Sequence, residues 1–279
     1  NEGDSGGHAR PVIVPGRIAE VRLSVGNYET GFGVQIWKNY EDGMRIFLRD
    51  PSGDAEFELL PIRGTDRIRI GETELLIYYG EPSPFNAAQE IYIEFVPEQA
   101  YVESGIWIFR FLGKGREDTY VDLWLPSSAA LGQNTAFLEP SPETTLTIPS
   151  TAFRPLTVGA YDSRTGIYAP FSGRGDTRIY HAQKPDLAAP GVGIMAPKSG
   201  GGYEAVTGTS FAAPLVAGAA ALLMEWGIVR GNDPYLYGEK VKAYLRKGAK
   251  RLPSELEYPN PRLGYGALCA AQSLPQVEN

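Results

Sequence analysis

Between Arg17 and Leu125, apolar and polar residues alternate in short runs cut by turn residues: 17–25 (RIAEVRLSV), 32–37 (FGVQIW), 44–48 (MRIFL), 55–60 (AEFELL), 72–79 (ETELLIYY), 90–96 (EIYIEFV), 105–111 (GIWIFRF) and 119–125 (TYVDLWL). A period of two places successive side chains on opposite faces, so each run is predicted to be an antiparallel strand with one face on a core. Such strands at short, regular spacing predict an all-β sandwich of the jelly-roll type over 10–140. Asp50-Pro51-Ser52-Gly53, Gly80-Glu81-Pro82-Ser83-Pro84 and Gly113-Lys114-Gly115 supply turn chemistry between them.

After Thr144 the pattern changes. The continuous apolar runs 156–161 (LTVGAY) and 186–193 (DLAAPGVG) predict buried strands of a parallel sheet. The stretch 210–226 is apolar on every side of a helix until Glu225, which predicts a helix buried inside its domain, with Pro214 in the tolerant first turn. A second helix is predicted to start at Asn232-Asp233-Pro234, with Asp233 as cap and Pro234 as first helical residue, and to carry the basic run Lys240 to Lys250 on a solvated face. The expected organisation is therefore three segments, 1–9, 10–140 and 141–279, with the first and last belonging to one α/β core.

Composition narrows the chemistry. The 279 residues are 43% hydrophobic and 21% charged, a globular balance long enough for two domains. A net charge of −7 and no clustered basic stripe argue against nucleic acid or an anionic membrane surface as a partner. The single cysteine, Cys269, cannot form an internal disulfide and reads as a small apolar residue. No run of about 18 consecutive apolar residues is present. No cofactor motif and no metal-ligand cluster is visible in the sequence.

Two serines are candidates for a nucleophile. Ser5 lies in Gly3-Asp4-Ser5-Gly6-Gly7, the string in which trypsin-like proteases carry theirs, but only four residues precede it and such enzymes place their base upstream. A Gly-rich connection explains that string better. Ser210 follows Gly208-Thr209 directly before the apolar helix, so an oxyanion forming beside it would meet helix-start N–H groups at the positive end of the dipole. A simple helix cap at Thr209 or Ser210 is the alternative.

The surrounding residues decide between them. Gly208-Thr209-Ser210-Phe211-Ala212-Ala213-Pro214 followed by Val216-Ala217-Gly218 resembles the nucleophile motif of the subtilisin-like serine proteases (peptidase family S8). In the same order, Val158-Gly159-Ala160-Tyr161, Phe171-Ser172-Gly173, Lys184-Pro185-Asp186-Leu187-Ala188-Ala189-Pro190-Gly191 and Gly264-Tyr265-Gly266 resemble further segments of that family. The phrases Ile36-Trp37-Lys38-Asn39-Tyr40 and Thr144 to Ser150 are similar to the clostridial Csp-type proteases, whose known members act in spore germination. The resemblance implies an α/β subtilisin-like core interrupted by the jelly roll, with Ser210 as nucleophile and Asn1 as a side-chain donor to the oxyanion. It further implies Pro149, Ser150, Gly208 and Thr209 against the substrate, a polypeptide substrate, and a secreted or spore-associated location.

The resemblance also shows a gap. In that family the catalytic aspartate and histidine precede the oxyanion asparagine, whereas His8 and His181 stand in other contexts and are expected to be surface or loop residues. Asp162 falls on the strand after Val158-Gly159 and is not matched to the catalytic aspartate. A serine without a base is a poor nucleophile, so the chain is expected to be the C-terminal piece of a larger protease. Its apolar face and sheet edge would be covered by the N-terminal half or by a second copy of the chain. A pseudoprotease acting through binding and a ligand-binding jelly-roll module remain open at this point.

Overall fold

The alternating runs become strands whose inward residues are apolar. In Ile18–Val25, Val21, Leu23 and Val25 are buried while Glu20 and Arg22 face outward. A computed structural model describes residues 3–4, 6–54, 56–62, 64–175 and 183–274. The chain divides into two compact units, one of residues 5–141 and one that combines 1–4 with 142–279.

The unit 5–141 contains two large antiparallel sheets and, among the described residues, a small antiparallel pair of Val12–Ile13 with Thr119–Tyr120. Six strands run in the order His8–Ala9, Asp122–Trp124, Phe32–Asn39, Ala88–Pro97, Thr73–Tyr79 and Gly64–Ile70. Five run in the order Ala136–Phe137, Ile18–Val25, Gly105–Gly113, Met44–Arg49 and Glu56–Leu59. Their inner faces share one core, in which Val34, Ile36, Ile91 and Ile93 of the first sheet meet Leu23, Leu48, Trp107 and Phe109 of the second, all without solvent exposure. Phe95 stacks on Phe32 at 4.7 Å and meets Trp107 edge-on at 5.1 Å, so the rings lock the sheets face to face. Gly53 closes the Asp50 turn by donating to the Asp50 carbonyl at 3.1 Å.

His8 departs from its expected surface position. It lies on a strand paired with Trp124, is 3% exposed, and its ring stacks on Trp124 at 4.6 Å. Nε2 lies 3.0 Å from Asp122 Oδ1 and Nδ1 lies 3.0 Å from the Ser141 carbonyl. The imidazole is thus consumed in joining the two ends of this unit, a role that its sequence neighbours gave no sign of. His181 lies outside the described residues.

In the second unit, Val158–Asp162 pairs in parallel with Leu187–Pro190 in the register Val158↔Leu187 to Tyr161↔Pro190, and antiparallel with Ile167–Tyr168. An exposed hairpin of Ile194–Pro197 and Tyr203–Val206 leads into helix α1, Thr209–Met224, which continues as a wider π-helical turn over Glu225–Val229. Helix α2 spans Glu239–Lys247.

Three helix expectations need correction. Helix α1 is not buried all round: only the stripe Ala212, Val216, Ala219 and Leu223 is covered, by Ala160, Leu187 and Ala189 of the strands and by Val241 and Leu245 of α2. On its other side Leu215, Leu222 and Met224 face solvent, Leu222 at 61% exposure, as does Val229 of the π-helical turn at 79%. By length and composition alone Thr209–Val229 could cross a membrane, and 28% of its most apolar stretch is buried. Helix α2 begins at Glu239 and not at Pro234, because Gly238 turns the chain at φ 55° and ends any helix arriving from Asp233. Asp233 instead binds Lys240 Nζ at 2.6 Å. Nor is the basic run wholly solvated, since Lys242 is buried.

Candidate active site

Ser210 is the second residue of α1 and is exposed. The turn that presents it is held from both sides. Gly208 N–H donates to the Gly191 carbonyl at 2.8 Å, Gly191 N–H to Tyr161 at 3.0 Å, and Phe211 N–H returns to Gly208 at 3.1 Å. Gly208, Thr209 and Ser210 therefore sit at the C-terminal ends of the two parallel strands, where α/β folds place ligands. Pro214 is the sixth helical residue, one turn later than expected. Its missing N–H is the one that would have bonded the Ser210 carbonyl, so the first turn of α1 is less constrained by helical bonding than an ordinary turn. Among the described residues the Ser210 hydroxyl has no hydrogen-bond partner.

Asn1 and Ser5 lie outside the described residues. Gly3 is described and tightly placed: its N–H donates to the Phe171 carbonyl at 3.0 Å, and a Cβ there would stand 2.6 Å from the Ser172 carbonyl oxygen. Only glycine fits. Ser172 is itself fixed, accepting from Ala160 N–H at 3.0 Å, so the segment that follows Asn1 is tied to the Val158–Asp162 strand.

Pro149 and Ser150 occupy an irregular loop that follows the cis Ile148-Pro149 bond. The Ser150 carbonyl accepts from Thr157 Oγ1 at 2.7 Å, at the N-terminal end of the strand whose C-terminal end supports Gly208. The two groups of predicted substrate residues are thus attached to opposite ends of one strand, roughly 13 Å apart at about 3.3 Å per residue.

A charge cluster that the sequence reading did not assign lies beneath this loop. Asp186, with no exposure, accepts from Lys184 Nζ at 2.8 Å and from Thr157 N–H at 2.6 Å, and pairs with Lys242 at 3.4 Å and with Arg246. Burial opposes ionisation of Asp186, but the hydrogen bonds from Lys184 and Thr157 and the charges of Lys184 and Arg246 outweigh it and hold its pKa below the usual carboxylate value. Burial lowers the Lys184 pKa, and Asp186 offsets part of that effect. A lysine and an aspartate two apart beside an apolar strand were the available signal. Asp162, by contrast, is bound to Arg164 in a turn. Among the described residues no group of three or more His, Cys, Asp or Glu side chains is placed to hold a metal ion.

Residues 128–266 match the model of the subtilase family, peptidase S8. The chain carries a subtilase domain over these residues. The CspB protease of Clostridium perfringens superposes with a TM-score of 0.89 at 36% identity, over 98% of this chain and 56% of that one. Serine protease AprX of Bacillus subtilis is 33% identical over 152 residues, 47% of this chain and 32% of its own length. Subtilisin-like protease SBT3.5 of Arabidopsis thaliana is 50% identical over 62 residues, 20% of this chain and 8% of its own. The chain therefore spans about half of the solved relative and a third of AprX. The subtilase-like fold and the Csp-type likeness both follow from these matches.

Proposed function

We propose that this chain is the nucleophile-bearing part of a subtilisin-like serine endopeptidase of the Csp type. Ser210 Oγ attacks the scissile carbonyl and gives its proton to a histidine base; the peptide C–N bond breaks as that proton passes to the leaving amine, and water then hydrolyses the acyl-enzyme ester to release the acid and restore the serine. The oxyanion is met by the Ser210 N–H and the Asn1 carboxamide, while Pro149 and Ser150 line the wall of the substrate pocket. The observation that carries the reading is the exposed Ser210 on a helix-start turn pinned to the ends of two parallel strands. His8, spent on Asp122 and Ser141, is not the base; in this reading the base and its aspartate come from protease sequence beyond this chain.

The same reading accounts for α1. One side of the helix is packed along its length on its own unit, so a membrane cannot surround it, and a protein layer on the other side is the fitting cover. The layer is assigned to the remainder of the protease, with a second copy of the chain as the alternative. The unit 5–141 is read as a jelly-roll insertion. Supporting this, Ile18–Val25 pairs with Gly105–Gly113 in one sheet, while the next strand, Phe32–Asn39, pairs with the preceding one, Ala88–Pro97, in the other. A place in spore germination is part of the proposal on the Csp-type likeness.

A fluorophosphonate probe tests the chemistry on the complete native protease. Labelling of the native protein and its loss in Ser210→Ala are expected, with turnover falling by about 10⁶-fold, a size of effect known from subtilisin itself. A folded native protein that takes up no label would make the chain a binding pseudoprotease.

A further inference from the structure

The loop that carries Pro149 and Ser150 belongs to no sheet or helix, yet its backbone is held at four points by buried polar groups. Thr157 Oγ1 donates to the Ser150 carbonyl at 2.7 Å and Lys242 Nζ to the Phe153 carbonyl at 2.9 Å. Lys184 Nζ donates to the Pro155 carbonyl at 2.6 Å, and Asp186 accepts the Thr157 N–H. The Phe153 ring lies over the Lys242 ammonium at 5.6 Å.

Charge counting explains why the carbonyls are there. Lys184, Lys242 and Arg246 bring three positive charges against the single carboxylate of Asp186, and both lysines are buried. An ammonium has three protons to place. Lys184 places all three, on the Pro155 carbonyl, Thr157 Oγ1 and Asp186 Oδ2. If the loop moved, Lys184 would lose its carbonyl acceptor and Lys242 would keep only the longer contact to Asp186, leaving buried charge poorly compensated, which is among the costliest arrangements in a protein interior. The cations therefore fix the loop more strongly than its own two internal turns, Ser150 N–H to Thr147 at 2.8 Å and Ala152 N–H to Pro149 at 3.0 Å. The cluster is in turn anchored from below, because Tyr265 N–H donates to the Asp186 carbonyl at 3.0 Å and Arg246 stacks on the Tyr265 ring at 4.7 Å.

We propose that Lys184 and Lys242, clamped by Asp186, are positioning residues that set the conformation of the loop 148–156 and, through it, the wall of the substrate pocket. The inference rests on the placement of Pro149 and Ser150 in that wall. A pocket wall touches substrate before and during the reaction, so loosening it weakens binding more than it slows the bound complex.

The test uses the complete native protease with peptide substrates, in Lys242→Met and Lys242→Arg variants. Lys242→Met removes the charge and keeps the stem; it is expected to raise KM about tenfold with kcat within about twofold, the size of one lost charge-assisted hydrogen bond. Lys242→Arg is expected to restore KM to within about threefold. Hydrogen exchange gives an activity-independent readout: the Ser150, Ala152 and Thr157 amides should exchange about tenfold faster or more in Lys242→Met, with the amides of Val158–Asp162 and α1 unchanged. Thr157→Val, which removes the hydroxyl that links Lys184 to Ser150, should reproduce the local exchange and serves if Lys242→Met does not fold. Unchanged loop exchange, or equal acceleration across strand, helix and loop, overturns the proposal. A native protein that cleaves no peptide overturns the protease reading alone, and exchange then decides the positioning role.

Discussion

The two units are nearly equal in length, yet they treat their apolar residues differently. In 5–141 both sheets turn their apolar faces on each other, and the interior is a closed set of fully buried side chains from Leu23 to Phe111. In the other unit the most apolar element, α1, buries one narrow stripe and leaves Leu215, Leu222 and Met224 in solvent. A sandwich supplies its own second layer; a helix lying on a single sheet needs another, and among the described residues of this unit the outer side of α1 is exposed. Local pattern dictated the strands in both cases, but among the described residues only the sandwich covers its most apolar faces from both sides.

The largest expected effect is on the closed unit. Phe109 is fully buried between the sheets, and Phe109→Ala should lower the stability of that unit by about 3–5 kcal/mol, as truncation of a packed core aromatic does. Followed by tryptophan fluorescence, to which Trp37, Trp107 and Trp124 of this unit and Trp226 of the other contribute, and by circular dichroism, denaturation should then resolve two transitions, with only the earlier one displaced by the substitution. A single transition that moves as a whole would mean that the units do not unfold independently.

A smaller effect separates the two sides of α1. Leu223 is 1% exposed and Leu223→Ala should cost about 2–5 kcal/mol in this chain. Its neighbour Leu222 is 61% exposed, and Leu222→Glu should stay within about 0.5 kcal/mol here, as surface changes do. In the complete protease of the proposed reading, Leu222 lies under the missing layer, and the same substitution should be at least as damaging as Leu223→Ala. Chemical denaturation of both variants in both settings gives four midpoints. Equal tolerance of Leu222→Glu in the two settings would remove the case for a covering layer on that face.

That contrast also shows what a sequence can disclose. The strand runs were legible because each inward position has its partner within the same alternating pattern, and the parallel pair Val158↔Leu187 was legible from continuous apolar runs. The register of substitution-tolerant and buried faces on α1 was not, because every face is apolar and only the neighbours decide which one is covered. Asp233-Pro234 is good helix-start chemistry and points to a start of α2 earlier than the true one, because nothing local announces that Gly238 turns the chain. The burial of His8 is equally invisible locally: its partners Trp124, Asp122 and Ser141 are more than a hundred residues away in sequence. At the candidate site, Ser210 and its glycine were readable as a motif, whereas the Asp186 cluster joins four elements and declares itself only when they are packed. Lys242 and Arg246 looked like solvated charges on a basic helix.

The smallest expected effect concerns pH, and it touches both units. Burial raises the phenol pKa of Tyr168 to about 12, and the nearby Arg174 and Arg262 offset part of that rise. In the sandwich, burial, the hydrogen bond to Glu94 and the Glu94 and Glu90 charges raise Tyr92 to about 12, and burial with the Glu58 charge raises Tyr79 as well. Folded pKa values above the unfolded value of about 10 mean that the unfolded chain ionises first. The stability these tyrosines contribute is therefore intact below about pH 10 and is lost progressively as pH rises toward 12. Phenolate absorbance followed during an alkaline titration should show Tyr79, Tyr92 and Tyr168 ionising only as the unit that holds each of them opens. Since Tyr79 sits deepest, donating to the Leu59 carbonyl at 2.8 Å in the sandwich, the closed unit should hold its phenols to the higher pH. Release of all phenolates in one step near pH 10 would show that burial of these rings does not survive in solution.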